Sequence, residues 1–191
     1  MPGYKDEFMR AHERAKNFGL TVPDIEVRDG EHLLTQEFLR DFPHLIARNT
    51  NIQHPRDLAA QCFSINLMLR EVISDHLKCP LYYTIGWVDV HGSRRMFHFD
   101  EEFVREALDG QVSTAGAVSL HAWLTLPTME IIDPTLATSI LLVNGREEGL
   151  GGVMAKFADD LTGLTLKPML VGEDFLRRSG GLADFEFRDA G

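Results

Sequence analysis

Apolar residues recur at helical spacing in three stretches of the chain. Residues 4–18 form a charged amphipathic pattern that ends at Gly19, which predicts a helix covering the core, with a partner-binding arm as the alternative. Residues 62–78 carry a broader apolar stripe, which predicts a buried helix. A short helix with a threonine cap is predicted over 35–40, followed by less regular chain over 42–53.

The middle of the chain has the alternation and composition of strands. Residues 81–90 are rich in aromatic and β-branched side chains. Residues 120–126 alternate, so the odd-numbered positions, His121 included, share one face. Residues 129–133 form a second β-branched run. Joined by a short loop, residues 120–126 and 129–133 predict an antiparallel pair of strands.

The pattern is weaker in the last third of the chain. Residues 139–143 fit either a helix or a strand, and residues 153–161 favour a helix. Residues 165–171 predict a strand near a sheet edge, because Pro168 cannot donate a ladder hydrogen bond. Four glycines within 144–152 predict a loop.

The two middle strands predict a hairpin that joins a histidine to an aspartate. If residues 126–128 form a three-residue loop, Thr125 pairs with Met129 and His121 lies directly opposite Asp133. Directly opposed Cβ atoms are about 5 Å apart, which suits an imidazole–carboxylate hydrogen bond. A two-residue loop would break this register.

Composition limits the class of protein. The chain has 191 residues, enough for one domain with a sizeable core, and 44% of them are hydrophobic. Its net charge of −10 argues against binding to nucleic acid or to an anionic membrane surface. Two cysteines make no disulfide framework, although Cys62 and Cys79 could bridge in principle. Without a recognisable secretory signal, we expect a reduced thiol pair in the cytoplasm.

Cys62 is the candidate nucleophile. In the first turn of the predicted helix, its sulfur would lie at the positive end of the helix dipole, which favours the thiolate. A helix that began at Pro55 instead would place Cys62 two turns in and remove this benefit.

Four short motifs resemble those of the transglutaminase-like cysteine enzymes, which have a papain-like fold. The match covers the middle third to half of the chain, and small residues commonly flank the nucleophile of the family where this chain has Gln61 and Phe63. The motifs are Asp57-Leu-Ala-Ala-Gln-Cys62, Lys78-Cys-Pro-Leu-Tyr-Tyr-Thr-Ile-Gly-Trp-Val88, His121-Ala-Trp123 and Ile132-Asp133-Pro-Thr135.

The resemblance implies a papain-like α+β fold and the roles of three residues. The nucleophile helix would pack on an antiparallel sheet, with Cys62 as nucleophile, His121 as base and Asp133 as the group that orients the base. We expect a single domain over 1–191. It would comprise an N-terminal helical cover (1–55), a catalytic core (56–135) and a C-terminal extension (136–191).

Acyl transfer follows from these roles, through a thioester on Cys62. With water as acceptor the protein would be a peptidase, amidase or deamidase acting on a protein or peptide. With an amine acceptor it would be a transglutaminase or acyltransferase. We favour hydrolysis, because no water-excluding cleft can be identified in the sequence. A catalytically silent member of the fold, used for protein binding, is the third reading.

Further site predictions concern the oxyanion, the glycine loop and metals. The backbone N–H of Cys62 is expected to bind the oxyanion, helped by a side chain, for which Gln53 is favoured over Gln61. Residues 144–152 are predicted to border the cleft, with a plain surface connection as the alternative. No histidine and cysteine spacing fits a zinc site, so we expect no metal and no cofactor.

Overall fold

The computed structural model describes residues 2–92, 94–115 and 119–182. Within these residues the chain is α+β, as predicted, with antiparallel strand pairs and six α-helices. The helices are α1 (Tyr4–Asn17), α2 (Gln36–Asn49), α3 (Cys62–Leu77), α4 (Glu101–Leu108), α5 (Leu136–Val143) and α6 (Asp174–Arg178). The strands are β1 (Tyr82–Val90), β2 (Arg94–Met96), β3 (His121–Thr125), β4 (Glu130–Asp133), β5 (Met154–Phe157) and β6 (Leu164–Val171).

The chain forms two compact units, each assembled from separate segments. The first unit contains Met1–Asp24, Thr84–His121 and Leu161–Gly191, and the second contains Ile25–Tyr83 and Ala122–Asp160. The boundary therefore falls within β1 and within β3.

In the first unit, α1 covers a small antiparallel sheet. β1 pairs with β2 on Val88–Val90 and with β6 along most of its length, and α1 packs along β6. Phe8 and Ala11 are fully buried on the inner face of α1. The prediction that residues 4–18 form a helix over the core is confirmed, although Phe18 remains half exposed at its end.

The predicted strand over 165–171 is also confirmed, including its irregular point. Pro168 lies opposite Gly86, where the register of β6 against β1 shifts by one residue. A proline has no N–H for the ladder, so a local irregularity at this position follows from the sequence.

In the second unit, α2 is much longer than the predicted 35–40 helix, so the expectation of less regular chain over 42–53 is wrong as far as Asn49 and holds for 50–53. Thr35 caps the helix as expected, because its Oγ1 accepts the N–H of Phe38 at 3.2 Å. The helix then continues through Pro43 to Asn49. Phe38, Phe42 and Ile46 are buried on one stripe, and α2 packs against α3. This burial outweighs the loss of one helical hydrogen bond at the proline.

The C-terminal part of the second unit corrects one more prediction. Residues 154–157 form β5 and not a helix, because they pair with β4 from Glu130↔Phe157 to Asp133↔Met154. That partner lies more than twenty residues earlier in the chain, so a local pattern cannot reveal the pairing. The ambiguous residues 139–143 lie within the helix α5.

Replacing Pro43 with alanine should stabilise the chain. Pro43 is exposed in the interior of α2, and alanine would restore the N–H and relieve the contact of the ring with the preceding turn. We expect the free energy of unfolding to rise by about 1–3 kcal/mol in urea denaturation, the gain being reduced by the extra entropy of the unfolded chain.

Arg40→Ala is the matched control, since Arg40 is 73% exposed on the same helix and has a helix propensity close to that of alanine. The urea denaturation midpoint of the Arg40→Ala protein should stay near that of the wild type. A Pro43→Ala protein that is less stable than wild type would show that the ring makes a contact worth more than the missing hydrogen bond.

Candidate catalytic site

Cys62 is the first residue of α3, as required of a nucleophile at a helix N-terminus. Pro55–Leu58 forms a separate 3₁₀ turn, and Ala60 has a φ of 59°, which ends that turn before the helix begins. The alternative helix start at Pro55 is therefore wrong, and the predicted helix over 62–78 is confirmed to within one residue. Lys78, with a φ of 54°, ends it in the left-handed conformation typical of a helix C-terminus.

Hydrogen bonds fix the first turn of α3. The N–H of Ile65 donates to the Gln61 carbonyl at 3.0 Å, and the Tyr83 hydroxyl donates to the Phe63 carbonyl at 3.1 Å. The Gln61 side chain accepts from the Ser64 hydroxyl at 3.2 Å. The Gln61 side chain is thus engaged at the start of its own helix.

Asn66 is a site residue that the sequence analysis missed. It is completely buried one turn after Cys62, and its Nδ2 donates to the Cys62 carbonyl at 2.8 Å and to the Ala122 carbonyl at 2.9 Å. Its Oδ1 is buried without a hydrogen-bond partner among the described residues. The amide therefore joins the start of the nucleophile helix to the residue that follows His121. A polar residue within the apolar stripe of α3 was the available signal.

The predicted register of the hairpin is wrong by two residues. Thr125 pairs with Ile131, and Leu124 pairs with Ile132. The loop has the expected three residues but consists of 127–129, closed by the N–H of Leu126 on the Glu130 carbonyl at 2.9 Å. Met129 has a φ of 66° and belongs to the turn, not to the strand.

A shift of two residues moves pairs along the strands but preserves their faces. In the observed register Trp123, not His121, is the position opposite Asp133. Because the side-chain period of a strand is two, odd-numbered positions of β3 and β4 still share one face. Direct opposition of His121 and Asp133 is lost, and the predicted sharing of a face by these positions is kept.

The Asp133 carboxylate is held rigidly at the end of β4. Its Oδ1 accepts the N–H of Thr135 at 2.9 Å, the hydroxyl of Thr135 at 2.9 Å and the N–H of Leu136 at 3.0 Å. The residue is fully buried. Three donors on one oxygen fix the plane of the carboxylate and connect it to the first turn of α5.

His121 is buried at the beginning of β3, the last residue of its segment of the first unit. Within that unit its ring stacks on Phe97, with centroids 5.1 Å apart and an interplanar angle of 24°. The aromatic contact restricts rotation of the imidazole, as a positioned base requires.

The glycine loop lies against the turn that leads to Cys62. A Cβ on Gly151, whose φ is 83°, would be 3.1 Å from the Cβ of Pro55, and Glu147 forms an ion pair with Arg56. The Gly151 N–H also donates to Thr138 Oγ1 at 2.9 Å. Gly151 is therefore required by a close approach, and the loop lies against the 3₁₀ turn Pro55–Leu58 within the second unit.

Glu130 is a buried glutamate that was not predicted from the sequence. Glu130 accepts the N–H groups of Leu33 at 2.8 Å and Leu34 at 3.3 Å, and the Thr128 hydroxyl at 2.7 Å. It anchors the segment before α2 to the hairpin. A lone acid between apolar strand residues was the signal in the sequence.

The role predicted for Gln53 gains no support from its position. Gln53 is exposed in the segment before the 3₁₀ turn. In the described part of the chain no three His, Cys, Asp or Glu side chains are grouped to hold a metal ion. No helix of the described residues is both long and apolar enough to cross a membrane.

Comparison with protein-family models, with curated proteins and with solved structures finds no match to this chain. Its function must therefore be argued from its own residues.

The carboxylate of Asp133 can be tested for its structural role. Asp133→Ala removes the acceptor of three donors and should lower the free energy of unfolding by about 3 kcal/mol or more, whereas Thr135→Val removes one bond and should lower it by about 1 kcal/mol. Asp133→Asn keeps Oδ1 and should lie closer to wild type than Asp133→Ala in a denaturant titration.

Asp160→Asn, at an exposed aspartate of the same unit, is the control for loss of charge alone. Equal stability of Asp133→Ala and wild type would show that the three hydrogen bonds carry no net stability.

Proposed function

We propose that the chain is a cysteine hydrolase that cleaves amide bonds in a protein or peptide. Cys62 would be the nucleophile, His121 the base and Asp133 the orienting carboxylate, on a papain-like fold of the transglutaminase-like type. The observation that carries the proposal is the start of α3 at Cys62, beyond the break at Ala60.

The immediate surroundings of Cys62 support its role. The thiol belongs to the first turn of a helix of 16 residues, where the N–H groups and the helix dipole stabilise an anion. Asn66 and Tyr83 hold the backbone of this turn in place. A catalytic nucleophile needs such a fixed position more than a packing cysteine does.

The two supporting residues have environments suited to their roles. His121 is restrained by Phe97, and Asp133 presents a carboxylate whose orientation is fixed through Oδ1. A buried carboxylate can orient an imidazole and stabilise the imidazolium that forms when the thiol loses its proton. The shared strand face of the odd-numbered positions agrees with this pairing.

The proposed reaction has two steps, acylation of Cys62 and hydrolysis of the thioester. The thiol proton passes to His121, Cys62 Sγ bonds to the carbonyl carbon, and the carbon–nitrogen bond breaks as His121 returns the proton to the leaving amine. Water then gives a proton to His121 and adds to the thioester, and the carbon–sulfur bond breaks as His121 returns that proton to the sulfur, which releases a carboxylic acid and the thiol. The N–H of Cys62 and the Gln53 side chain are the proposed oxyanion donors.

The state of the cysteines fits a thiol enzyme. Cys62 and Cys79 are both free, and we propose that the protein works in a reducing compartment such as the cytoplasm. Burial raises the pKa of the Cys79 thiol, opposed by the nearby Arg28 guanidinium. At mildly acidic pH Cys79 is therefore less ionised than an ordinary thiol, which makes it an internal reference.

Cys62 should react with iodoacetamide at mildly acidic pH faster than Cys79 does. The raised pKa of the Cys79 thiol suppresses its thiolate until the pH rises well above neutral, whereas Cys62 lies in the first turn of α3. Peptide mass spectrometry after timed alkylation measures both rates as a function of pH.

His121→Ala should move the pH profile of Cys62 toward that of a simple thiol. His76→Ala is the matched control, because His76 is exposed on the same helix as Cys62 and should leave the profile unchanged. An unaltered profile in His121→Ala would mean that the base has been misassigned.

The acceptor can be identified with a small acyl donor. Wild-type protein treated with p-nitrophenyl acetate should gain one acetyl group on Cys62 and then release acetate, while Cys62→Ala should do neither. Cys79→Ala should behave as wild type. These species are followed by intact-protein mass spectrometry and by nitrophenolate absorbance.

Cadaverine added to the same reaction separates the alternatives. Acetate as the main product supports a hydrolase, and N-acetylcadaverine as the main product supports an amine acyltransferase. A Cys62 that is alkylated but never acylated would favour the silent, protein-binding reading.

A further inference from the structure

A second candidate site lies in the first unit and contains none of the residues assigned to the proposed reaction. A cavity of about 870 Å³ is lined by α1, by α4 and by Arg178 at the end of α6. Its volume falls within the roughly 300–1,000 Å³ of small-molecule sites.

Four arginines line this cavity in a protein whose net charge is −10. They are Arg10, Arg14, Arg105 and Arg178, with no lysine among the lining residues. Guanidinium groups bind carboxylates and phosphates through two parallel hydrogen bonds, which a lysine cannot do.

Most of the acidic residues of the lining are already paired. Glu101 accepts from Arg14 at 2.9 Å, and Glu13 forms an ion pair with Lys16 at 3.0 Å. Asp109 is the remaining acid. Arg10 has no ion-pair or hydrogen-bond partner among the described residues and is exposed at the cavity. Arg105 also contacts Glu101, at 3.5 Å, so Arg14 and Arg105 share one carboxylate, and the four arginines outnumber the three acids of the lining.

The same cavity has an apolar part. Met9, Phe18 and Leu108 line it and are half exposed. The guanidinium carbon of Arg105 lies 5.7 Å from the centre of the Phe18 ring, so this arginine is held over the apolar surface. This position explains why Phe18 is not buried with the rest of its stripe.

The arginine-bearing wall is held in place by the core of the unit. Arg14 donates to the Met169 carbonyl of β6 at 3.0 Å, and Glu7 of α1 pairs with Lys167 at 2.8 Å. Arg178 donates to the Gly19 carbonyl at 3.0 Å, which fixes α6 to the end of α1. A cavity whose walls are fixed in this way costs little ordering when a ligand enters.

We propose that this cavity binds a small organic anion with an apolar body and a carboxylate or phosphate head. The head would pair with Arg10 and Arg105, and the body would lie on Phe18, Met9 and Leu108. The site is independent of Cys62 chemistry and does not rest on the proposed hydrolase activity.

Fluorescence titration of the full chain with pyrenebutyrate, a pyrenylalkyl phosphate and neutral pyrenebutanol tests the proposal. Either anion should bind more tightly than the alcohol, and added salt should weaken only the anions. The stronger of the two anions identifies the head group that the site prefers.

Arg10→Ala and Arg105→Ala should each weaken binding of the preferred anion by about tenfold. Arg105→Lys keeps the charge and is expected to retain part of the affinity, and Arg40→Ala, exposed on α2 of the other unit, should bind as wild type. The thermal midpoint of each variant is measured alongside.

Equal affinity for the alcohol and both anions would overturn the proposal. So would wild-type affinity in an Arg10→Ala protein with an unchanged midpoint, since that side chain is exposed and its loss is not expected to affect folding.

Discussion

The arrangement of the second unit depends on one buried amide. Asn66 has no contact with solvent, and leaving water would cost its side chain several kcal/mol if it bonded to nothing. Its two N–H groups recover much of this cost by donating to carbonyls of α3 and β3. The bond to Cys62 lies within α3, so a helix that slid or rotated by one residue would lose the bond to Ala122, and this bond selects a single position of Cys62 relative to β3. Packing of apolar groups alone would tolerate small displacements.

Two carboxylates, one at each end of β4, likewise accept hydrogen bonds from backbone N–H groups outside regular secondary structure. Glu130 satisfies N–H groups of the chain before α2, and Asp133 satisfies those at the start of α5. Neither set of donors lies within a sheet or within the hydrogen-bonded part of a helix, so the N–H groups of the buried Thr135 and Leu136 would otherwise lack an acceptor. All four residues of β4 are buried, which makes this short strand the anchor for elements distant in sequence.

Local chemistry made much of this fold predictable. The C-terminal end of α1, the extent of α3 and the course of β1 follow from Gly19, from an apolar stripe and from a run of β-branched and aromatic residues. Prediction failed where long-range pairing or packing decided the outcome. The residues of β5 become a strand only because β4 offers an edge, and α2 passes through Pro43 because its buried stripe packs on α3.

Prediction of the site was limited by one backbone angle. Met129 adopts a positive φ, which few non-glycine residues do, and this moved the hairpin loop by one residue and the register by two. Each strand position kept its predicted face, because a shift of two residues equals the side-chain period of a strand. Asn66 was not identified because its partner, the Ala122 carbonyl, is a backbone atom that no side-chain motif marks.

The two candidate sites are built from different kinds of contact, and this bears on what each can do. Around Cys62 and Asp133 the polar groups are buried and tied to backbone atoms, so their positions are set before any substrate arrives. Such preorganisation suits a reaction, because the groups need no rearrangement as charge develops. The cavity of the first unit instead presents arginines on long side chains, three of them exposed. Those side chains can adjust to anions of different shape but cannot hold a reacting atom to a fraction of an ångström. The construction of that site therefore favours binding, and the construction around Cys62 favours chemistry.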